Sequence, residues 1–287
     1  MRIHFLKKSF AWLMEKQQGF DQTMGYVFKI LGSSSSGNCS LLKTEEATIL
    51  IDAGFSGKQI CKMLENAGES IEDVDAVFIT HEHSDHCNGV RGLAKYGVDF
   101  YANTQTAKAI QSKLTLPVHW KVFESGQSFQ FKDLEIQSFS IPHDAYDPVS
   151  YIFSWGEHDL FNPHRSLAWV TDLGHATPEV RRRIKNVDYL VLESNHDSHM
   201  LENDMKRPMS LKRRILGRHG HLSNADALSL LKSVEKPKWK ELFFAHLSKD
   251  CNNANLVEDT FAPFCSAMKL RMQVVNPLTD QVVAAAG

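Results

Sequence analysis

Thr80-His81-Glu82-His83-Ser84-Asp85-His86 brings three imidazoles and the Asp85 carboxylate together directly after the apolar run Ala76-Val77-Phe78-Ile79. A strand that delivers a tight H-x-H-x-D-H turn points several nitrogen and oxygen donors at one small volume. Such a mixed donor set suits zinc, manganese or iron(II). A structural zinc site would be closed by thiolates, and only Cys87 is near. Ligation by His and Asp leaves a coordination position for water, which is what a metal hydrolase needs. A merely His-rich polar loop is the plainer reading. Against it stand the apolar run before the loop and Asn88-Gly89 after it.

This loop, preceded by Ile49-Leu50-Ile51-Asp52-Ala53-Gly54, resembles the metallo-β-lactamase superfamily. The resemblance runs over about 24–276 and implies an α/β fold, a four-layer αββα sandwich. It also implies a later His, a bridging Asp and a final His as ligands. The chain offers them in order as His143, Asp172 and His246. Alone, each reads as an ordinary turn residue, Asp172 with Gly174 beside it above all. The resemblance implies His81, His83 and His143 on one divalent ion, Asp85, His86 and His246 on a second, and Asp172 between them. Asp85 reads as a ligand, a base beside the metal, or both. Two dications about 3.5–4 Å apart repel, so they need a bridging carboxylate and a bridging water or hydroxide. Coordination brings that water toward a pKa of about 7, a nucleophile at neutral pH. Zinc is the first choice, with manganese or iron as alternatives.

Four further stretches, LGSSSSGN at 31–38, ESNHD at 193–197, SLKRRI at 210–215 and GHLSN at 220–224, are similar to the YycJ/WalJ-like branch of that superfamily. This implies a nuclease acting on DNA, of 5′–3′ exonuclease type. His221 becomes a candidate to protonate the departing oxygen or bind the scissile phosphate. Glu193 is a candidate to orient a ligating or acidic His. Ser223 or Asn224 is a candidate cap for the next helix, whose N-terminus favours phosphate, which makes Ser223 a candidate phosphate contact. Ser35 and Asn38 offer polar groups to phosphate, although a plain hairpin turn explains them equally well. Lys206, Arg207, Lys212, Arg213, Arg214 and Arg218 lie between Met205 and His221 with no acid among them. They form a candidate backbone clamp, with Lys212, Arg213 and Arg214 at its centre; the alternative is a solvated helix face. No role follows from the sequence for His196. His4, His119, His158, His164 and His175 read as ordinary.

Bulk properties narrow the class. The 287 residues, 43% apolar, suit one large domain or two small ones, and the net charge of −2 excludes a polycation. Nucleic acid must therefore be met by a local patch, and DNA is the favoured partner. Cys39, Cys61, Cys87, Cys251 and Cys265 are odd in number and widely spaced, which fits free thiols in a reducing cytoplasm. No run approaches the roughly 20 apolar residues that span a bilayer. Residues 1–23 read as an N-terminal extension or an upstream start, with Met24 the functional one, 24–276 as the hydrolase domain and 277–287 as a tail. A homo-oligomer stays open. The stretch between Asp172 and His246 is too short for the inserted domain of large RNA-processing relatives. A small-molecule phosphodiesterase, an RNA-processing nuclease, a thioesterase or lactonase, and a non-catalytic metal-bound nucleic-acid-binding module remain alternatives.

These side chains need rigid supports. Apolar runs predict strands over 24–31, 39–43, 48–51, 74–79, 167–170, 189–192 and 242–245, with β-rich sequence over 118–153. Helical periodicity covers 57–67, 104–114, 178–184, 210–216, 224–232 and 256–268. The candidate ligands repeatedly fall at the ends of apolar strands, where α/β sheets place functional groups.

Overall fold

The computed structural model describes residues 25–158, 163–277 and 283–286. The expected extension 1–23 lies outside these residues. The first sheet contains β1 (Val27–Ser34), β2 (Gly37–Lys43), β3 (Thr48–Ile51), β4 (Ala76–Phe78), β5 (Asp99–Asn103) and β6 (Trp120–Phe123). The second contains β7 (Ser128–Phe131), β8 (Leu134–Ser140), β9 (Val149–His158), β10 (Pro163–Val170), β11 (Tyr189–Glu193), β12 (Glu241–Ala245) and β13 (Arg271–Val274). Each sheet is half antiparallel and half parallel. β3 to β6 run parallel in one, and β10 to β13 in the other. A fourteenth strand, β14 (Val283–Ala286), pairs antiparallel with β1 at the edge of the first sheet. The sequence reading assigned this stretch to a tail, because a short Val-Ala run carries little strand signal without its partner.

Side-chain alternation builds the layers. Alternate residues such as Phe28, Ile49, Ile51 and Phe78 from one sheet meet Tyr151, Phe153, Trp169, Val191 and Phe243 from the other in one buried cluster. The opposite face of the first sheet, through Leu50, Val77 and Phe100, packs on Ile60 and Leu64 of helix Gly57–Asn66 and on Ile110 of helix Thr104–Gln111. The opposite face of the second sheet, through Leu190, Leu192 and Phe244, packs on helices Pro178–Ile184, Asn224–Lys232 and Ala254–Met268. Helix, sheet, sheet, helix is the αββα order expected. Because β3, β4, β11 and β12 are buried on both faces, they read as continuous apolar runs, which is why the sequence located them. These helices begin on polar caps: Ser56, Asn103, Thr177, Ser223 and Asn253.

Both parallel halves end at one rim of the sandwich. Asp52 follows β3, His81 follows β4, Asp172 follows β10, Glu193 closes β11 and His246 follows β12. Among the described residues, no helix is long and apolar enough to cross a membrane.

Candidate metal centre

The H-x-H-x-D-H segment is not an open loop throughout: residues Ser84–Cys87 form a single helical turn with His83 at its N-cap. The turn is held against the end of β3, with Ala53 N donating to the His86 carbonyl at 2.8 Å and Gly89 N to the Ala53 carbonyl at 2.7 Å. Contact is so close that a Cβ on Gly54 would lie 1.7 Å from the Asp85 carbonyl oxygen.

Four overlapping groups of donor atoms result among the described residues; Asp172 joins Glu193, His221 and His246 in one and His81 and His86 in another, and the remaining two share no residue. His81, His83 and His143 form one of those two, and Asp85, His86 and His246 form the other; within each, the atoms lie within 4.8 Å of one another. Asp172 stands between them. Its carboxylate is 3.7 Å from His143 Nε2, 3.5 Å from His246 Nε2 and 3.1 Å from His86 Nε2. The far nitrogens are fixed by hydrogen bonds that turn the near ones inward. His86 Nδ1 donates to Asp52 Oδ2 at 2.7 Å, and His143 Nδ1 donates to the Gly220 carbonyl at 3.2 Å. His81 Nδ1 is 3.0 Å from Thr80 Oγ1, whose hydroxyl donates to Asp52. Glu193 Oε1 accepts from both His246 Nδ1 at 2.9 Å and His221 Nδ1 at 2.7 Å, while its Oε2 accepts from Leu173 N and Leu222 N. His81 Nε2, His246 Nε2 and Asp172 Oδ2 are buried without a hydrogen bond. Buried polar atoms of this kind are costly unless a charge or donor meets them, and imidazole nitrogens converging with carboxylate oxygens fit a divalent cation.

The electrostatics set buried carboxylates against imidazoles of two kinds. Burial pushes the His81 and His143 imidazoles below their ordinary range, which keeps their lone pairs available. At His86 and His246 burial also opposes charge, but Asp172 and the carboxylates nearby outweigh it, taking His246 up to about 10. Burial likewise opposes ionisation of Glu193, and His221 and His246 overcome it, holding the carboxyl at about 2. Asp172 is depressed in the same way by His246 and His86. A dication would therefore replace imidazolium protons as the counter-charge to these carboxylates.

Beside the donor groups opens a cavity of about 380 Å³, lined among others by Ser35, His83, Asp172, Asn195, Arg214 and His221. The substrate contacts expected from sequence divide here. Ser35 is exposed on the lining and accepts from Asn195 Nδ2 at 3.3 Å. Asn38 is buried, its amide donating to the Ser34 carbonyl at 3.0 Å and lying 3.2 Å from His86 Nε2, so it braces the site rather than facing the cavity. Lys212, expected among the phosphate contacts, is instead buried, and its Nζ donates to the Glu202 carbonyl at 2.7 Å. Arg213 is exposed away from the cavity lining. Ser223 is buried and caps its helix through Asp226. The clamp is also less positive than its sequence, because acids arrive from elsewhere: Arg214 pairs with Asp144, Arg207 with Asp204 and Asp250, and Lys206 with Asp250. Of the expected central trio, only Arg214 lines the cavity; Arg207 joins it. His196 is buried, and neither ring nitrogen is hydrogen-bonded among the described residues.

Several supporting residues escaped the sequence reading. Asp52 stood inside the quoted motif, but its hydrogen bonds to Thr80 and His86 join positions far apart in sequence. Ser33 Oγ accepts from His246 N at 2.9 Å and donates to Asn38 Oδ1, which ties the Ser-rich turn to the opposite sheet. Asn195 Nδ2 donates to the His246 carbonyl at 3.0 Å. Asp52, Asp172 and His246 all adopt left-handed backbone, with φ of 60°, 57° and 59°. Asp and His tolerate this region better than most residues, and it is where functional side chains are re-aimed at strand ends.

Residues 47–246 match the family described as a beta-lactamase superfamily domain. Exodeoxyribonuclease YycJ of Bacillus anthracis is 39% identical over 236 residues, which cover 81% of this chain and 86% of that protein. Exodeoxyribonuclease WalJ of Streptococcus pneumoniae is 37% identical over 242 residues, 83% of this chain and 87% of that one. The solved metallo-beta-lactamase fold protein YhfI from Bacillus subtilis superposes with a TM-score of 0.67 at 16% identity, over 91% of this chain and 99% of its own, a likeness of fold.

Proposed function

The chain belongs to the beta-lactamase superfamily of metal-dependent hydrolases, and from that premise we propose that it is an exonuclease hydrolysing phosphodiester bonds in DNA. The observation that carries the chemistry is the convergence of two donor groups on the Asp172 carboxylate, beside an open cavity with Arg207 and Arg214 on its wall. The choice of DNA is supported by YycJ and WalJ, both named exodeoxyribonucleases and alike over most of their length. In this reading His81, His83 and His143 would hold one divalent ion, Asp85, His86 and His246 would hold a second, and Asp172 would serve both. When bound, the ions supply a water of lowered pKa and neutralise phosphoryl charge.

The chain's own groups do the rest. Asp52 and Glu193 lock the tautomers of His86 and His246, so each presents Nε2 to the centre. Glu193 also accepts a hydrogen bond from His221 Nδ1 and favours the imidazolium form, whose Nε2–H on the cavity side would pass its proton to the departing oxygen and leave a neutral ring. Arg214, held by Asp144, sets a guanidinium at the cavity wall for a non-bridging phosphate oxygen. Zinc suits the imidazole-rich set best, and manganese or iron suits it next.

The test is hydrolysis of end-labelled single- and double-stranded DNA, RNA and a chromogenic phosphodiester by metal-loaded protein, with Asp172→Ala alongside. Progressive shortening of DNA, reduced at least about a hundredfold in the variant, is expected, and the label reports polarity. Cleavage of the small diester alone would replace the nuclease by a small-molecule phosphodiesterase. Full activity in Asp172→Ala would remove this residue from the chemistry.

A further inference from the structure

A second groove, of about 270 Å³, lies between helix Thr104–Gln111 with the turn after it and the loop that follows His143. Gln105, Lys108, Ser112, Lys113 and Tyr146 line it. Tyr146 is 77% exposed, and Lys108 and Lys113 are exposed and enter no ion pair among the described residues. An exposed tyrosine alone is ordinary. The backbone that carries this one is held from both sides. Its backbone N–H donates to Glu82 Oε1 at 3.0 Å, and Glu82 is the residue between His81 and His83. The next residue, Asp147, accepts at its carbonyl from Asn103 Nδ2 at 2.6 Å. The Asn103 side chain, itself buried, also caps the lysine-bearing helix by accepting from Thr106 N at 2.9 Å. One amide thus fixes the aromatic loop and the basic helix relative to each other. Asp144, two residues before Tyr146, lines the cavity at the metal centre, so the groove adjoins that cavity along a single loop.

An aromatic side chain on an anchored backbone, beside two ammonium groups outside any ion pair among the described residues, matches what one nucleic-acid strand presents, a base π-face and its flanking phosphates. We propose that this groove holds the strand adjoining the scissile phosphate, with Tyr146 stacked on a base and Lys108 and Lys113 on phosphates. The proposal rests on the nuclease reading and names a substrate subsite for it.

The test uses the metal-loaded full chain and a fluorescein-labelled single-stranded deoxyoligonucleotide with phosphorothioate linkages that slow hydrolysis, read by anisotropy over a range of salt. Tyr146→Ala is expected to weaken binding about tenfold, and Tyr146→Phe, which keeps the π-face, to bind as the wild type. Lys108→Gln with Lys113→Gln should reduce the slope of log K against log salt by about 1.4, two single-strand phosphates' worth. Unchanged affinity in Tyr146→Ala together with an unchanged slope in the lysine pair would overturn the groove, as would a wild type that binds no oligonucleotide. Cleavage of ordinary DNA with binding unaltered in these variants would sink the groove alone. Variant-sensitive binding without cleavage of any diester would sink the nuclease reading and leave the groove a nucleic-acid site.

Discussion

Asp52 shows how much of this centre depends on residues that face away from it. Its carboxylate accepts from His86 Nδ1 and from the Thr80 N–H and hydroxyl, so it sets which nitrogen of His86 looks inward. Asp52→Asn keeps the size and removes the charge, and a metal competition against a chelating dye should show affinity weakened about 10- to 100-fold. Unaltered affinity would mean that packing alone orients the ring. Arg214 and Lys212, neighbours in sequence, should separate cleanly. Lys212→Ala removes a buried charged donor from the Glu202 carbonyl and is expected to lower stability by about 1–3 kcal/mol in urea titrations, with DNA affinity per folded molecule retained. Arg214→Ala should leave the urea midpoint near wild type, raise KM for DNA and flatten its salt dependence. If Lys212→Ala instead reproduced the Arg214→Ala binding defect at full stability, the basic segment would act as the continuous clamp its sequence suggests.

At the level of elements, five strand ends converge, and three of them turn through left-handed backbone at Asp52, Asp172 and His246. The close seating of the Ser84–Cys87 turn on the end of β3 makes Gly54 a test of that convergence. Gly54→Ala drives a methyl into the backbone at Asp85 and Asn38, neither of which can swing aside as a side chain could. Loss of metal and activity is expected with the far-UV spectrum retained; a variant with normal metal content would show that the turn floats free of β3. The strands that carry the site were legible in the sequence because buried parallel strands are unbroken apolar runs, and the His-rich turn was legible because its donors are local. What stayed hidden was nonlocal. Asp144 and Asp250 help discharge a segment that looks purely basic, and Ser33 reaches His246 from another sheet. No periodicity encodes those meetings; they exist only once the chain has folded, and the Ser33 contact only once the two sheets are stacked.

Across the whole molecule, two kinds of interior divide the work. The layer between the sheets is apolar and aromatic, from Phe28 and Phe78 to Trp169 and Phe243, and contains none of the proposed ligands. The rim holds buried imidazoles and carboxylates whose charges balance one another but leave His81 Nε2 and Asp172 Oδ2 without hydrogen bonds. The fold should therefore survive removal of metal, while its stability should fall by the binding free energy. An ion present at a hundred times its dissociation constant stabilises by about 2.7 kcal/mol, and for a chain of this size each kcal/mol moves Tm by roughly 2–4 °C. Exhaustive chelation should then lower Tm by about 5–10 °C per ion in calorimetry, reversed by adding the metal back, with the far-UV spectrum unchanged at 25 °C. A chelated protein that unfolds outright would show that the inter-sheet core cannot sustain the sandwich alone. One whose Tm does not move, although hydrolysis stops, would place the functional ion somewhere other than this rim.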